Sequence, residues 1–490
     1  MSGRAIGTVL VANRGEIACR VIRTLRRLGL RSVAVYHFVD RDAPHVRMAD
    51  DARELQGAVP AGAYLDAAQI IAAAHAAGAD AIHPGYGFLS ENAEFARAVE
   101  DAGLVFVGPS AQTIELMGDK IASRAFAEAQ GVPVAPSALD TGDAAAFVAA
   151  AEAIGFPLLI KASAGGGGKG MKIVAVREEL EGAISAARSE ALRYFGDERV
   201  YAEKLVSQPR HIEVQVLGDG AGKVVHLHER ECSIQRRHQK VVEEAPAPNL
   251  AADLREAICT AAVNLAAAAR YRNAGTIEFI LGGDGAFYFL EMNTRLQVEH
   301  PVTEEITGLD LVEWQLKIAA GEPLTLEQER LGVQGHAIEV RICAEQPEFD
   351  FRPATGVCGV LDWPEAARIE SGIAEGQQVT AAFDPLLAKL VVHAETRAAA
   401  GDKLAAALRE TTLLGIANNI DYLHRIAVHP AFSAGELDTG FLARHAGELV
   451  PEPGAPPVAA ICAALAGDPA FRTMIARVPD LHAAIGGWSN

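Results

Sequence analysis

The chain has no paired cysteines, no long apolar run and no excess of positive charge, and each lack narrows what it can be. Its six cysteines (Cys19, Cys232, Cys259, Cys343, Cys358 and Cys462) are scattered, with no C-x-x-C spacing. That excludes a zinc ribbon or a disulfide frame and fits reduced thiols, with Cys232 read as a small buried residue. No stretch of about 20 apolar residues occurs, as crossing a bilayer would require. The start, Met1-Ser2-Gly3-Arg4, lacks the charged and apolar regions of an export signal. The expectation is a cytoplasmic protein with no membrane partner. Lys and Arg number 44 against 63 Asp and Glu, a net charge of −19, which argues against a nucleic-acid partner. Anionic small molecules, held by local cationic pockets, stay open. Aromatic residues make up only 6%, yet half of the 490 residues are hydrophobic. That suffices for a large core, and roughly 100–200 residues per domain suggests two to four domains.

The opening residues alternate strand and helix patterns. Strands are expected at Thr8–Ala12, Ser32–Tyr36, Asp80–His83 and Leu104–Val107, and helices at Glu16–Leu28, Asp66–His75 and Asn92–Ala102. This rhythm implies a mostly parallel sheet covered by helices. The first strand-to-helix turn, Ala12 to Glu16, lacks the glycines of a dinucleotide site. We therefore expect an N-terminal Rossmann-like domain over residues 1–118, a connecting helix at 119–131 and a smaller α/β unit at 132–207. A larger, strand-rich unit follows at 208–448, then a linker and extension at 449–490 that begins with the proline-rich run Pro451–Pro457.

Three segments carry chemistry. Between strand-like Leu158–Ala162 and Met171–Val176 lie Gly165, Gly166, Gly167, Gly168, Lys169 and Gly170. The backbone N–H groups of such a loop can wrap phosphate oxygens. A strand follows it where a dinucleotide site has a helix, and Gly170 stands where a Walker loop needs Ser or Thr. A lid over a triphosphate, with Lys161 and Lys169 as cations, fits better than a solvated linker. Next, Thr276–Leu281 and Ala286–Asn293 flank Gly282-Gly283-Asp284-Gly285, a hairpin signal. A turn centred between Gly283 and Asp284 would set Glu278 opposite Phe289 with Glu291 diagonal to it. Two carboxylates that close either point into water or share a divalent cation. Beyond them Glu291, Asn293, Arg295, Gln297 and Glu299 recur at period two, one face if the chain stays extended. Periodicity alone favours a solvent-facing strand over a catalytic face, so an acid–base reading needs more than spacing. Finally, Arg230 to Lys240 gathers five basic or titratable side chains in an acidic protein and reads as an anion-binding loop or a solvated charge run.

Taken in chain order, Ala12–Ala18, His83–Asn92, Met117–Lys120, Lys161-Ala162-Ser163 with its glycine loop, Gln235–Ala247 and Glu291–Thr303 form six blocks. Together they resemble the biotin carboxylase component of biotin-dependent acyl-CoA carboxylases, over about residues 5–445. The resemblance implies an α/β (α+β) ATP-grasp fold with a Rossmann-like N-terminal domain, a mobile lid and a C-terminal mixed α/β domain. Asp384–Lys389 looks closest to subunits acting with propionyl-, methylcrotonyl- or related acyl-CoA partners. Another ATP-grasp ligase, of the carboxylate–amine or carbamoyl-phosphate type, shares the lid and metal carboxylates but does not account for all six blocks. Nor does a non-catalytic nucleotide-binding subunit account for the intact acids and arginines.

Residue by residue, the resemblance implies ATP contacts at Lys120, Lys161, the lid glycines and Lys169, Glu203, Lys204, His211, Gln235 and His238. Glu278, Glu291 and Asn293 would hold Mg²⁺ or Mn²⁺, two ions when ATP is bound. Arg295, Gln297 and Val298 would cradle bicarbonate, Glu299 would deprotonate it, and Lys240 would lie near the transferred phosphoryl group. Tyr86 and Arg341 would face biotin. The family's usual Ala-Glu-Asp-Pro is here Ala344-Glu345-Gln346-Pro347, and no Ala-Met-Lys-Met biotinylation motif occurs. Biotin is then expected on a carrier protein or domain, with a carboxyltransferase subunit as a further partner and a homodimer or larger assembly as the state. The ending Gly486–Asn490 resembles a junction toward a carrier domain, so an N-terminal part of a longer subunit is expected.

Overall fold

The computed structural model describes residues 5–140, 142–162, 171–451, 465–467 and 469–476. The glycine loop, the proline-rich run beyond Pro451 and the ending Gly486–Asn490 lie outside the described residues. Among them, no helix is long and apolar enough to cross a membrane.

The first unit is a five-stranded parallel sheet in the order Asp51–Leu55, Arg31–His37, Thr8–Val11, Ala81–His83, Val105–Phe106. Its central strands read as unbroken apolar runs because helices cover both faces. Asp51–Leu55 is a strand that alternation did not suggest; at the sheet edge it stays half-exposed and carries charge. The order reverses on either side of Thr8–Val11, so a crevice opens beyond the carboxyl ends of that strand and Ala81–His83. Two loops meet there. The Asn13 Nδ2 donates to the carbonyls of Pro84 (2.8 Å) and Tyr86 (2.7 Å). A Cβ at Gly85, whose φ is +64°, would sit 2.9 Å from that Nδ2, so only glycine lets the loops close. Glu16 and Tyr86 are thereby set at the mouth of the crevice.

The second unit is a four-stranded antiparallel sheet, Ser137–Leu139, Val200–Lys204, Leu158–Ala162, Lys172–Val174. It packs its own small core, with Phe147, Leu158, Ile160, Leu180 and Val200, under helices Ala144–Ile154 and Leu180–Phe195.

The third sheet is the largest, eight antiparallel strands in the order Phe287–Asn293, Arg272–Leu281, Arg210–Asp219, Val224–Arg236, Gln239–Ala245, His336–Cys343, Leu386–Ala394, Arg368–Ser371. Helix Ala252–Ala268 packs its apolar stripe on the sheet near one end, with Ile258, Cys259 and Leu265 buried. Helices Arg397–Glu410 and Ile420–Ala427 do the same near the other. The remaining polar positions gather the charged side chains.

Candidate active site

One rung of the large sheet runs Glu291, Glu278, Glu213, Arg230 across four adjacent strands, each residue directly opposite the next. The facing carboxylates arise from a register that spacing did not predict. Phe279, rather than Glu278, pairs with Phe289, and Leu290 is an extra residue that brings Glu278 directly opposite Glu291. Like charges at such positions repel, and the chain answers with buried cations. Arg230 is wholly buried and donates to Glu213, to Gln215 Oε1 (2.9 Å), to Thr303 Oγ1 (2.9 Å) and to Thr276 Oγ1 (3.0 Å). Lys240 Nζ reaches three carboxylates at once: Glu213, Glu278 (2.9 Å) and Glu299 (2.6 Å).

Lys240 gets there through a hairpin, where the sequence suggested an irregular loop. The segment is the end of one strand and the start of the next. Arg237 and His238 form a two-residue turn with φ of 49° and 66°, the backbone that twisted hairpins favour. An irregularity between Lys240 and Val242 upsets strict alternation. Lys240 and Glu243, three residues apart, therefore both face the site. Arg237 and His238 are exposed at the tip, with Arg237 paired to Asp350 at 2.7 Å.

The period-two run also has a different basis from one extended face. The strand ends at Asn293, and the chain turns before helix His300–Thr307, which carries Pro301 in its first turn. Glu299 sits at the helix entrance, wholly buried, with φ −82°. Its two oxygens are divided between Lys240 and Arg341, the latter at 2.9 Å. Burial alone would raise its pKa; Lys240, Arg341 and Arg230 overcome that and hold the carboxyl well below the ordinary range. It stays charged at neutral pH. Arg295 is fixed by Glu91 (3.0 Å), Gln297 Oε1 (3.0 Å) and Asn293 Oδ1 (2.9 Å). Glu278 Oε1 accepts from Asn293 (2.8 Å) and Gln297 (3.2 Å), and His211 Nε2 lies 3.0 Å from its Oε2. Burial would lower the His211 pKa, but Glu278 raises it. Gln235 Nε2 lies 3.3 Å from His211 Nδ1.

Glu291 completes the rung. Burial and the charge of Glu278 push its pKa up, with Lys120 opposing from the start of helix Lys120–Ala129. A half-buried carboxylate raised by its neighbour is short of positive charge, and a hard divalent cation supplies what is missing. Glu278, Glu291 and Asn293 are oxygen donors that fit Mg²⁺ or Mn²⁺.

The other expected ATP residues form a second group on the smaller sheet. Lys161 Nζ bonds Glu203 at 2.5 Å, and Arg124 bonds the same carboxylate at 2.9 Å. Lys204 Nζ is taken up by the carbonyls of Gly155 (3.4 Å) and Phe156 (3.2 Å). Gly165 to Gly168 and Lys169 lie outside the described residues. Tyr86 hydrogen-bonds Glu16 through its hydroxyl and feels the charge of Arg341. Gln346 is a surface acceptor for Arg352, at 3.0 and 2.8 Å. Cys232 is buried among acids, and burial keeps its thiol protonated.

Two residues at the centre went unassigned in the sequence. Arg230 was one of a charge run, and Glu243, which binds Arg341 beside Glu299, was not singled out. Burial pushes Glu243 up to about 7 against the pull of Arg341. The neutral form frees Arg341 from one of its two carboxylates. We expect an inflection near that pH in the rate of any reaction that uses Arg341, absent in Glu243→Gln. An unchanged profile in the variant would exclude Glu243 as its source.

The family relationship agrees with this geometry. Residues 5–114 match the biotin carboxylase N-terminal domain, 119–327 the carbamoyl-phosphate synthase L chain ATP-binding domain, and 339–444 the biotin carboxylase C-terminal domain. The chain is 52% identical to a biotin carboxylase of Halalkalibacterium halodurans, over 89% of this chain and 97% of that one. It is 48% identical to the mitochondrial methylcrotonoyl-CoA carboxylase subunit alpha of Mus musculus, over 95% of this chain. It spans 65% of that relative's length, so just under two thirds. The biotin carboxylase domain dimer of Hydrogenobacter thermophilus 2-oxoglutarate carboxylase, solved with MgADP, ADP and bicarbonate, superposes with a TM-score of 0.88. That domain is 44% identical, and the match covers 92% of this chain and all of the other. With this likeness over nearly the whole chain, and with Glu278, Glu299, Lys240 and Arg341 of the motifs brought together on the large sheet, the chain belongs to the biotin carboxylase family of ATP-dependent, ATP-grasp ligases.

Proposed function

We propose that the chain activates bicarbonate with ATP and transfers its carbon to biotin held on a separate carrier protein or domain, the first half-reaction of an acyl-CoA carboxylase. The observation that carries this reading is Glu299, buried between Lys240 and Arg341 beside Arg295. Arg295, Gln297 and Val298 cradle bicarbonate, the guanidinium matching a planar anion. Glu299 takes its proton. In the free site Glu299 is too well paired to be a strong base; an anion entering beside it shares those cations and raises its proton affinity when a proton must be accepted. The freed bicarbonate oxygen bonds to the γ-phosphoryl group as the β–γ bond breaks, giving carboxyphosphate and ADP. Lys240 offsets charge at the phosphoryl group, and His211, Gln235, His238, Lys120, Lys161, Glu203 and Lys204 hold the nucleotide. A divalent cation on Glu278, Glu291 and Asn293 neutralises phosphate charge. The unit at 132–207, with Gly165, Gly166, Gly167, Gly168 and Lys169, closes as a lid and excludes water that would hydrolyse carboxyphosphate. Carboxyphosphate yields CO₂ and phosphate, phosphate removes the N1′ proton of biotin, and Arg341 steadies the enolate that captures CO₂, with Tyr86 alongside.

The whole protein would pair this chain with a carrier and a carboxyltransferase, as a homodimer or larger assembly in the cytoplasm, and methylcrotonoyl-CoA or a related acyl-CoA is the final acceptor. A carbamoyl-phosphate-type ligase is favoured only by the match at 119–327. Arg341 lies beyond that segment and favours biotin. The test is ADP release from ATP. It is expected to require bicarbonate and a divalent cation and to rise with free biotin; release indifferent to bicarbonate and biotin would refute the reading.

A further inference from the structure

Strand Leu386–Ala394 reads Leu-Leu-Ala-Lys-Leu-Val-Val-His-Ala, and Lys389 in its middle is wholly buried. An ammonium taken out of water needs partners that repay its lost hydration. Lys389 Nζ donates to the carbonyl of Val298 at 2.5 Å and lies 3.2 Å from Glu16 Oε1. The same Glu16 oxygen accepts the hydroxyl of Tyr86. Glu16 stands in the first turn of helix Gly15–Arg27, where the helix dipole favours its charge. Strand Arg368–Ser371 brings Gly372 so close to that turn that a Cβ there would lie 2.5 Å from the Glu16 nitrogen. The N-terminal unit and the large sheet are thus locked together at this point.

The Val298 carbonyl belongs to the rigid peptide plane that leads into Glu299. Holding its oxygen fixes how the chain enters Glu299 and where that carboxylate points. We propose that Lys389 is a positioning residue for bicarbonate activation, pinning the Val298–Glu299 peptide from behind and tying it through Glu16 to the Tyr86 hydroxyl. The inference rests on the bicarbonate-activating function argued above. Its consequence is that the biotin-facing crevice and the turn bearing Glu299 share one chain of contacts, Tyr86–Glu16–Lys389–Val298, that bypasses Arg341.

Lys389→Met keeps the aliphatic stem and removes the ammonium. A small misplacement of a reacting group costs up to about 100-fold, so the bicarbonate KM is expected to rise about 10-fold or more, while the ATP KM stays at the wild-type value. Glu16→Gln retains an acceptor for Tyr86 but removes the charge that holds Lys389. It moves the bicarbonate KM in the same direction by less, and it carries the test alone if Lys389→Met does not fold. Wild-type protein whose ADP release ignores bicarbonate would overturn the functional reading itself. Wild-type protein that needs bicarbonate, alongside variants whose bicarbonate and ATP constants move together or not at all, overturns the role of Lys389.

Discussion

Glu299→Gln is expected to lower bicarbonate-dependent ADP release by about 10²–10⁴-fold, the contribution of a positioned general base, while ATP binding stays near the wild-type value. The two effects separate because the residues are separate. Glu299 contacts Lys240 and Arg341 on the large sheet. Lys161 and Glu203 pair with each other on the smaller one. The amide fills the same space and keeps one of the two acceptor positions, its NH2 replacing the oxygen that faced Lys240 or Arg341. Neither cation is stranded, since Arg341 keeps Glu243, and Lys240 keeps Glu213 and Glu278. What disappears is the negative charge able to take a proton. Steady-state ADP release against bicarbonate, with nucleotide titration of the same preparation, makes the comparison. Equal losses in turnover and nucleotide affinity would contradict the role.

A second large effect is expected in stability. Arg230→Met removes a buried guanidinium that serves four partners and leaves Glu213, also wholly buried, with Lys240 as its one remaining cation. Breaking a buried pair on one side costs about 3–5 kcal/mol. Burial already raises the Glu213 pKa against Arg230 and Lys240, so with Lys240 alone opposing it the acid is expected to be protonated. Lys240 then loses the charge of one of its three carboxylates, and activity falls with stability. Adding Glu213→Gln should recover part of the loss, because the amide is neutral without the proton uptake that Glu213 needs in the single variant. Urea midpoints for the two single variants and the double give the coupling. A loss below about 1 kcal/mol for Arg230→Met, the range of exposed pairs, would show that the rung does not depend on it.

Much of this was readable from the residues, and the failures have physical causes. Apolar periodicity located the helices and parallel strands at the start of the chain. It passed over Asp51–Leu55 because an edge strand with one charged, half-exposed side has no apolar signature. The acidic hairpin was legible, its register was not, since the extra residue at Leu290 leaves no mark in composition. The run from Glu291 to Glu299 named the right side chains under the wrong geometry: a turn and a helix entrance, rather than one extended face, bring them together. Arg230 and Lys240 looked like members of a charge run because sequence cannot tell which side chains in such a run a hairpin buries. Lys389 did carry a signal. A lone lysine inside an apolar strand must find a partner, but that partner, Glu16, lies more than 370 residues away and no local pattern could name it.

The eight-stranded sheet has a bearing on how such an enzyme can be rebuilt. Gln239–Ala245 hydrogen-bonds to His336–Cys343, so the sheet runs unbroken past the boundary between the matched segments ending at 327 and starting at 339. Separating the chain there would bare two long strand edges, ready templates for aggregation, and would part Arg341 from Glu299. The small sheet at 137–204 has its own core and joins the rest at two neighbouring points of the chain. Grafting between relatives therefore has one natural cassette, the small sheet with its two flanking helices, while the remainder must be inherited whole.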